Sequence, residues 1–214
     1  MEFDHVLSVR SSVRRYTDEP VSEEDIKRIV TAGEEVPVGH FDFKNYAIAA
    51  ITDKTVLKLL AEENDALSGR GDPIYGAPLL LLIMSTPEAQ EDSIKLNAGI
   101  MAENMHLKAV DLGLGSICIY SFIRTLNRVE GYGKYFKAMH LPEGLKPAMA
   151  VAVGHTPMVQ RERRLSALMG RNKGGLLWNL IRFWPLESRS APIRMRLFLK
   201  RKSKRSFMQR RSLP

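Results

Sequence analysis

The sequence predicts an α/β or α+β domain in which a central sheet of about four strands packs between helices. Three observations carry that expectation. The stretch from Ser93 to Leu112 has apolar side chains on nearly every helical face, with Ile94, Ala98, Met101, Met105 and Leu112 near one side and Ile100, Leu107, Ala109 and Val110 on others. A helix apolar nearly all round is a buried one. Short apolar runs at Tyr46–Ile51, Leu79–Met84, Ser116–Tyr120 and Pro147–Gly154 read as strands. Strand and helix patterns alternate along the chain without the two-residue turns that mark hairpins.

Taken in order, Asp4 to Ser12 reads as a helix with Asp4 as its cap and Val6, Leu7 and Val9 on an apolar side. Arg10, Ser11, Ser12, Arg14 and Arg15 follow at once. Such a cluster of guanidiniums and hydroxyls suits an anion such as a phosphate monoester, because arginine forks bind its oxygens in pairs. A solvated basic helix end is the commoner meaning of the same run. Ser22 with Asp25 opens a second helix whose Ile26, Ile29 and Val30 recur at helical spacing up to Gly33. Glu34 to Phe43 is a loop. Asp53 caps a third helix running through Leu67, ended by Ser68-Gly69, and Arg70 to Pro78 is again loop. The unbroken leucines from Leu79 imply a strand buried on both faces. In the central helix, Ala98, Gly99 and Ala102 would let another backbone approach closely, and Gly113 and Gly115 stop it. Phe122 to Met139 is more weakly helical, and Pro142-Glu143-Gly144 turns the chain into the last strand.

At 214 residues the chain fits one domain with a possible appendage. One cysteine, Cys118, excludes an intramolecular disulfide framework and a cysteine-rich metal site, and the five histidines show no HxxxH pairing, so no dedicated metal site is expected. Asp4 and His5 stand where a signal peptide would have its apolar core, and no apolar run is long enough to span a bilayer. The expectation is a soluble, cytoplasmic protein. The net charge of +8 is concentrated at the end: residues 176–214 hold 11 Lys+Arg against the single acid Glu187, whereas residues 1–175 hold 21 Lys+Arg against 23 Asp+Glu. The expected organisation is a body over 1–175 and a basic tail over 176–214, disordered and solvated, or a non-native end. No nucleic-acid or membrane partner is expected for the body.

No nucleophile elbow, Walker loop or dinucleotide fingerprint is present. Gly113-Leu114-Gly115 follows a helix instead of a strand, and Cys118 reads as a small core residue. Taken together, Val9-Arg10-Ser11-Ser12-Val13-Arg14-Arg15-Tyr16, Tyr75-Gly76-Ala77-Pro78, Ala102-Glu103-Asn104-Met105, Gly113-Leu114-Gly115-Ser116 and Pro142-Glu143-Gly144 ahead of Val153-Gly154 resemble, in order and spacing, the flavin-dependent nitroreductase family, over roughly Asp4 to Arg164.

That resemblance implies an α+β fold with a central mixed sheet flanked by helices, a homodimer built on the long buried central helix, and FMN in two sites at the subunit interface. It assigns the FMN phosphate and ribityl chain to Arg10, Ser11, Ser12 and Arg14, with Arg161 and Arg163 as late basic residues reaching the phosphate. It places Pro37, Val38 and Gly39 against the flavin of the other subunit, and Cys118, Ile119, Tyr120 and Ser121 along the isoalloxazine ring. Ser11 stands where the family usually has arginine or histidine, Tyr120 where many relatives carry glutamate or glycine, and the loop after Pro37 lacks the common Ser, Asn and Gln-Pro-Trp pattern.

The implied activity is hydride transfer from NADH or NADPH through the flavin to a small-molecule acceptor, a nitroaromatic or a quinone. One shared pocket gives ping-pong kinetics and needs no catalytic side chain, the protein offering a backbone N–H near flavin N5 around Tyr120 or Ser121. The alternative is a non-catalytic flavin-binding or dimerising module whose basic tail contacts a membrane or nucleic acid: residues 194–211 hold 9 Lys+Arg interleaved with Met195, Leu197, Phe198, Leu199 and Phe207.

Overall fold

The computed structural model describes residues 1–128, 138, 144–159 and 161–162. The boundary near residue 175, the basic tail and Arg163 lie outside the described residues, as does most of the weak helix toward Met139.

The described elements run α1 (Phe3–Val9), α2 (Glu23–Glu34), β1 (Tyr46–Ile51), α3 (Lys54–Ser68), β2 (Leu79–Ser85), α4 (Glu91–Asp111), β3 (Gly115–Ile119), α5 (Ser121–Leu126) and β4 (Lys146–Gly154). Local chemistry sets most boundaries. Ser22 accepts the Asp25 N–H and starts α2. Asp53 accepts the N–H groups of Thr55 and Val56, which start α3 and hold its carboxyl below the usual range. Gly69 closes α3 in the left-handed conformation, with φ of 63°. The first helix ends three residues earlier than its pattern suggests. From Arg10 the backbone turns extended, and Val13 N–H pairs with the Ser116 carbonyl, a tertiary bond that the helix cannot supply.

Four strands form one sheet in the order β1-β2-β4-β3, and every neighbouring pair is antiparallel. The expected mixed character is therefore confined to one isolated parallel bridge, Ser12 to Ser116, where the segment after α1 joins the β3 edge. β1 and β2 are joined through α3 and the loop after Gly69, β2 and β3 through α4, which leaves those two non-neighbouring strands running the same way, and β3 and β4 through a connection that opens with α5. The class is α+β.

Side-chain alternation splits the core into two layers. Leu79, Leu81, Ile83, Val151 and Val153 face α2 and α4, while Leu80, Leu82, Met84, Ala150 and Ala152 join Ile117, Ile119, Leu57 and Leu60 on the other side. All seven residues of β2 are buried, so its leucines serve both layers, each contributing about 1.5–3 kcal/mol. The long helix buries Ala98, Met101, Ala102, Met105, Ala109 and Val110. It is not enclosed all round within one chain: Leu96 is 69% exposed and Ile100 40%. A Cβ on Gly99 would meet nothing within 4 Å, so the expected approach is not seen there; the close contact is at Met105, where a Cβ on Gly33 of α2 would lie 2.8 Å from Cγ.

Gly154 closes β4 against a rigid neighbour, since a Cβ there would lie 2.5 Å from Pro78 Cδ and 3.1 Å from Tyr16 Cδ1. A proline ring cannot rotate away. Gly154→Ala is expected to destabilise the fold by about 1–3 kcal/mol in urea unfolding with the slope unchanged; wild-type stability in that variant would contradict the packing described.

Candidate functional site

The basic segment after α1 is held by a buried polar chain. Arg10 Nη1 lies 3.0 Å from His106 Nε2, and His106 Nδ1 lies 2.5 Å from Ser116 Oγ. Arginine can only donate, so Nε2 is the acceptor and the ring proton sits on Nδ1, directed at the serine. Ser116 in turn donates to the His106 carbonyl at 3.3 Å. Both partners are fully enclosed, His106 1% and Ser116 0% exposed. Glu103 adds a carboxylate 3.7 Å from Arg10 Nε.

Beyond Arg10 the segment presents its hydroxyls and its second guanidinium outward. Ser11 and Ser12 are half-buried, and their hydroxyls have no hydrogen-bond partner among the described residues. Arg14 is exposed, donates to the Ser12 carbonyl at 3.3 Å and lies 5.9 Å over the Tyr75 ring. Tyr75 holds a left-handed φ of 58°, enforced by Asp72, whose carboxylate accepts from Ile74 N–H at 2.8 Å and Gly76 N–H at 2.6 Å. Tyr16 donates to the Val13 carbonyl at 3.0 Å, and burial pushes its phenol well above the ordinary range.

The next strand contributes Cys118 to Ser121. Cys118 donates to the Ala102 carbonyl at 3.6 Å. Burial first and the Glu103 charge second push its thiol up to about 12, with Arg10 pulling partly back. Ile119 turns its side chain into the α3–α5 layer. Tyr120, 39% exposed, and Ser121 are open at the start of α5. Arg161 is exposed, and beside it Glu162 lies 3.6 Å from His5 Nδ1 on α1.

Pro37, Val38 and Gly39 are not brought to this cluster. Val38 is buried in the α2–α4 layer, and Gly39 N–H donates to Asn97 Oδ1 at 3.3 Å. Asn97 precedes His106 by nine residues of α4, about 14 Å along the axis. Sequence reasoning missed His106, Ser116 and Glu103. The signal was available: His106 falls at helical spacing with Ala102, Met105 and Ala109 on the buried side, and a buried imidazole requires partners.

The nitroreductase family model matches residues 7–155. The chain belongs to the nitroreductase family. Among its relatives is an NADPH-dependent oxidoreductase of Staphylococcus aureus strain bovine RF122 / ET3-1, 24% identical over 169 residues that cover 70% of this chain and 63% of the relative. The chain thus spans less than two thirds of the length of the curated relatives it matches. Crystal structures of nitroreductases with bound FMN share the fold. The one from Bacteroides fragilis NCTC 9343 has a TM-score of 0.68 at 22% identity, covering 82% of this chain and 99% of that one. The one from Desulfitobacterium hafniense DCB-2 has a TM-score of 0.66 at 22% identity, covering 76% and 93%.

Two outcomes check the site's internal chemistry. His106→Phe keeps the ring but removes both nitrogens, leaving Ser116 buried without its donor; urea unfolding should show a loss of about 1–3 kcal/mol. Cys118 should resist thiol reagents at pH 8 in the folded protein and react once unfolded. Because its folded value is raised, the unfolded chain releases the proton first, so stability should fall as pH rises from about 9 toward about 12. Rapid labelling of native Cys118 would contradict its raised thiol.

Proposed function

We propose that this nitroreductase-family chain is an FMN-dependent oxidoreductase that works as a homodimer and takes electrons from NADH or NADPH for a nitroaromatic, quinone or similar small acceptor. The observation that carries the reading is the segment Arg10–Arg14. One guanidinium is fixed by a buried imidazole, a second is free of any carboxylate among the described residues, and two serine hydroxyls lie between them. That donor set fits the dianionic phosphate of FMN.

Bound FMN would supply the redox chemistry, accepting hydride from the nicotinamide and passing electrons to the acceptor. Arg10, Ser11, Ser12 and Arg14 would bind the phosphate end, joined by Arg161 and Arg163. Cys118, kept as a neutral thiol by burial, brings no anion to the ring. The first-turn N–H groups of α5, beginning at Ser121, have no acceptor within the helix and would donate to the flavin. Tyr120 stands exposed beside them and would limit access of solvent and acceptor.

Dimerisation is supported by what α4 leaves uncovered. Leu96 and Ile100 lie one turn apart on one exposed face, and Phe41, 88% exposed, extends from the loop after Gly39. A second copy would cover these residues and bring its Pro37–Gly39 loop toward the Arg10 cluster that this chain's own loop does not reach.

Arg10→Ala combined with Arg14→Ala should weaken FMN binding about 100-fold or more in a flavin-fluorescence titration, from loss of two charge-assisted contacts; unchanged affinity would overturn the assignment. Leu96→Lys with Ile100→Lys should halve the particle mass in light scattering.

A further inference from the structure

A cationic cavity lies at the start of α5. It has a volume of about 360 Å³ and is lined by Leu67, Ser68, Arg70, Ser121, Arg124, Thr125 and Arg128, between the end of α3 and α5. Ser121, Arg124, Thr125 and Arg128 fall at i, i+3, i+4 and i+7, so one face of α5 and its following turn carries the site, with Arg70 opposite. No carboxylate pairs with these three guanidiniums among the described residues, and none of their side chains has a hydrogen-bond partner there. Elsewhere, Arg10 is answered by Glu103, Arg28 by Asp25, Lys58 by Glu62 and Lys108 by Asp111, while Arg14, like the three arginines here, has no carboxylate partner among the described residues.

Three exposed arginines lining one cavity with Ser121 and Thr125 are a donor set that suits a phosphate monoester. This cannot be the phosphate site already assigned to the flavin, because Arg10 and Arg14 lie against α4 and Tyr75. The flavin's own phosphate leaves it no second anionic group to place. Ser121 links the two places, since it lines this cavity and also opens the segment expected along the flavin ring. A ligand that reaches from the ring into the cavity must carry its anionic group at a distance from its reacting end. We propose that the Arg70–Arg124–Arg128 cavity binds the 2′-phosphate of a phosphorylated nicotinamide dinucleotide, making the chain selective for NADPH over NADH. The assignment rests on the reading above that a nicotinamide nucleotide is the electron donor.

The test separates the cavity from that reading. Adenosine 2′,5′-bisphosphate and adenosine 5′-monophosphate are titrated into the whole chain by calorimetry, for the wild type and for Arg124→Gln with Arg128→Gln. KM for NADPH and NADH and flavin content are measured on the same preparations. The bisphosphate should bind the wild type about tenfold or more tightly than the monophosphate, and the double variant should abolish that preference. The variant should raise KM for NADPH by a similar factor while its flavin content and its kcat and KM with NADH stay at wild-type values. Equal binding of the two nucleotides by the wild type, or a preference that survives the substitutions, overturns the proposal. Loss of FMN from the double variant also overturns it, by giving the cavity to the flavin. A chain that holds no flavin yet prefers the bisphosphate through these arginines supports the cavity while the reductase reading fails.

Discussion

A buried imidazole fixes the geometry on which the site depends. His106 accepts from Arg10, donates to Ser116 and is closed off from water, so three elements distant in sequence are set by one ring: the exit of α1, the last third of α4 and the start of β3. In a low-dielectric interior such a chain is stable only when every member is satisfied. The requirement orients the guanidinium before any ligand arrives. The Val13 to Ser116 backbone bond, two residues beyond Ser11, then aligns the segment that carries the free hydroxyls.

The sheet supplies the platform for that arrangement. Its central strands are apolar on both faces, so the helices must pack on both sides, and the polar work is displaced to the ends of strands and the starts of helices. The glycines at Gly115 and Gly154 let the arginine segment lie close: a Cβ on Gly115 would sit 2.9 Å from Val13 Cγ1. The basic segment, the β3–α5 junction and the Tyr75 turn are held together by these contacts and by the Arg14–Tyr75 stack. The site is thereby fixed at Arg10 and open where Tyr120 and Ser121 begin α5.

Much of this was legible in the residues. Ser22, Asp53 and Gly69 announce their helix ends through local hydrogen bonding and backbone conformation, and β1 matches its apolar run at both ends because nothing tertiary competes there. The α1 boundary was misjudged because a sheet-edge hydrogen bond overrides helical propensity at Arg10. The sheet's antiparallel character was hidden because alternating helices and strands suit either direction. Within the site, Arg10 and Arg14 were visible as a charge cluster, whereas Glu103, His106 and Ser116 needed the fold, since their partners come from other elements. Cys118 reads from its apolar neighbours as a core residue, whereas it is only partly buried, and its place beside Arg10 and Glu103 was invisible until α4 and β3 were packed. The all-round apolar character of α4 pointed to enclosure, yet one chain leaves Leu96 and Ile100 in solvent.

The central claim is that two copies of this chain form one flavin-binding particle. Sedimentation velocity of the FMN-supplemented protein, recorded at the flavin wavelength and at 280 nm together, tests it most directly. The account predicts a single boundary at twice the chain mass, with flavin absorbance moving with it at one FMN per chain. A boundary at the mass of one chain, or flavin that stays behind as the protein sediments, would contradict it.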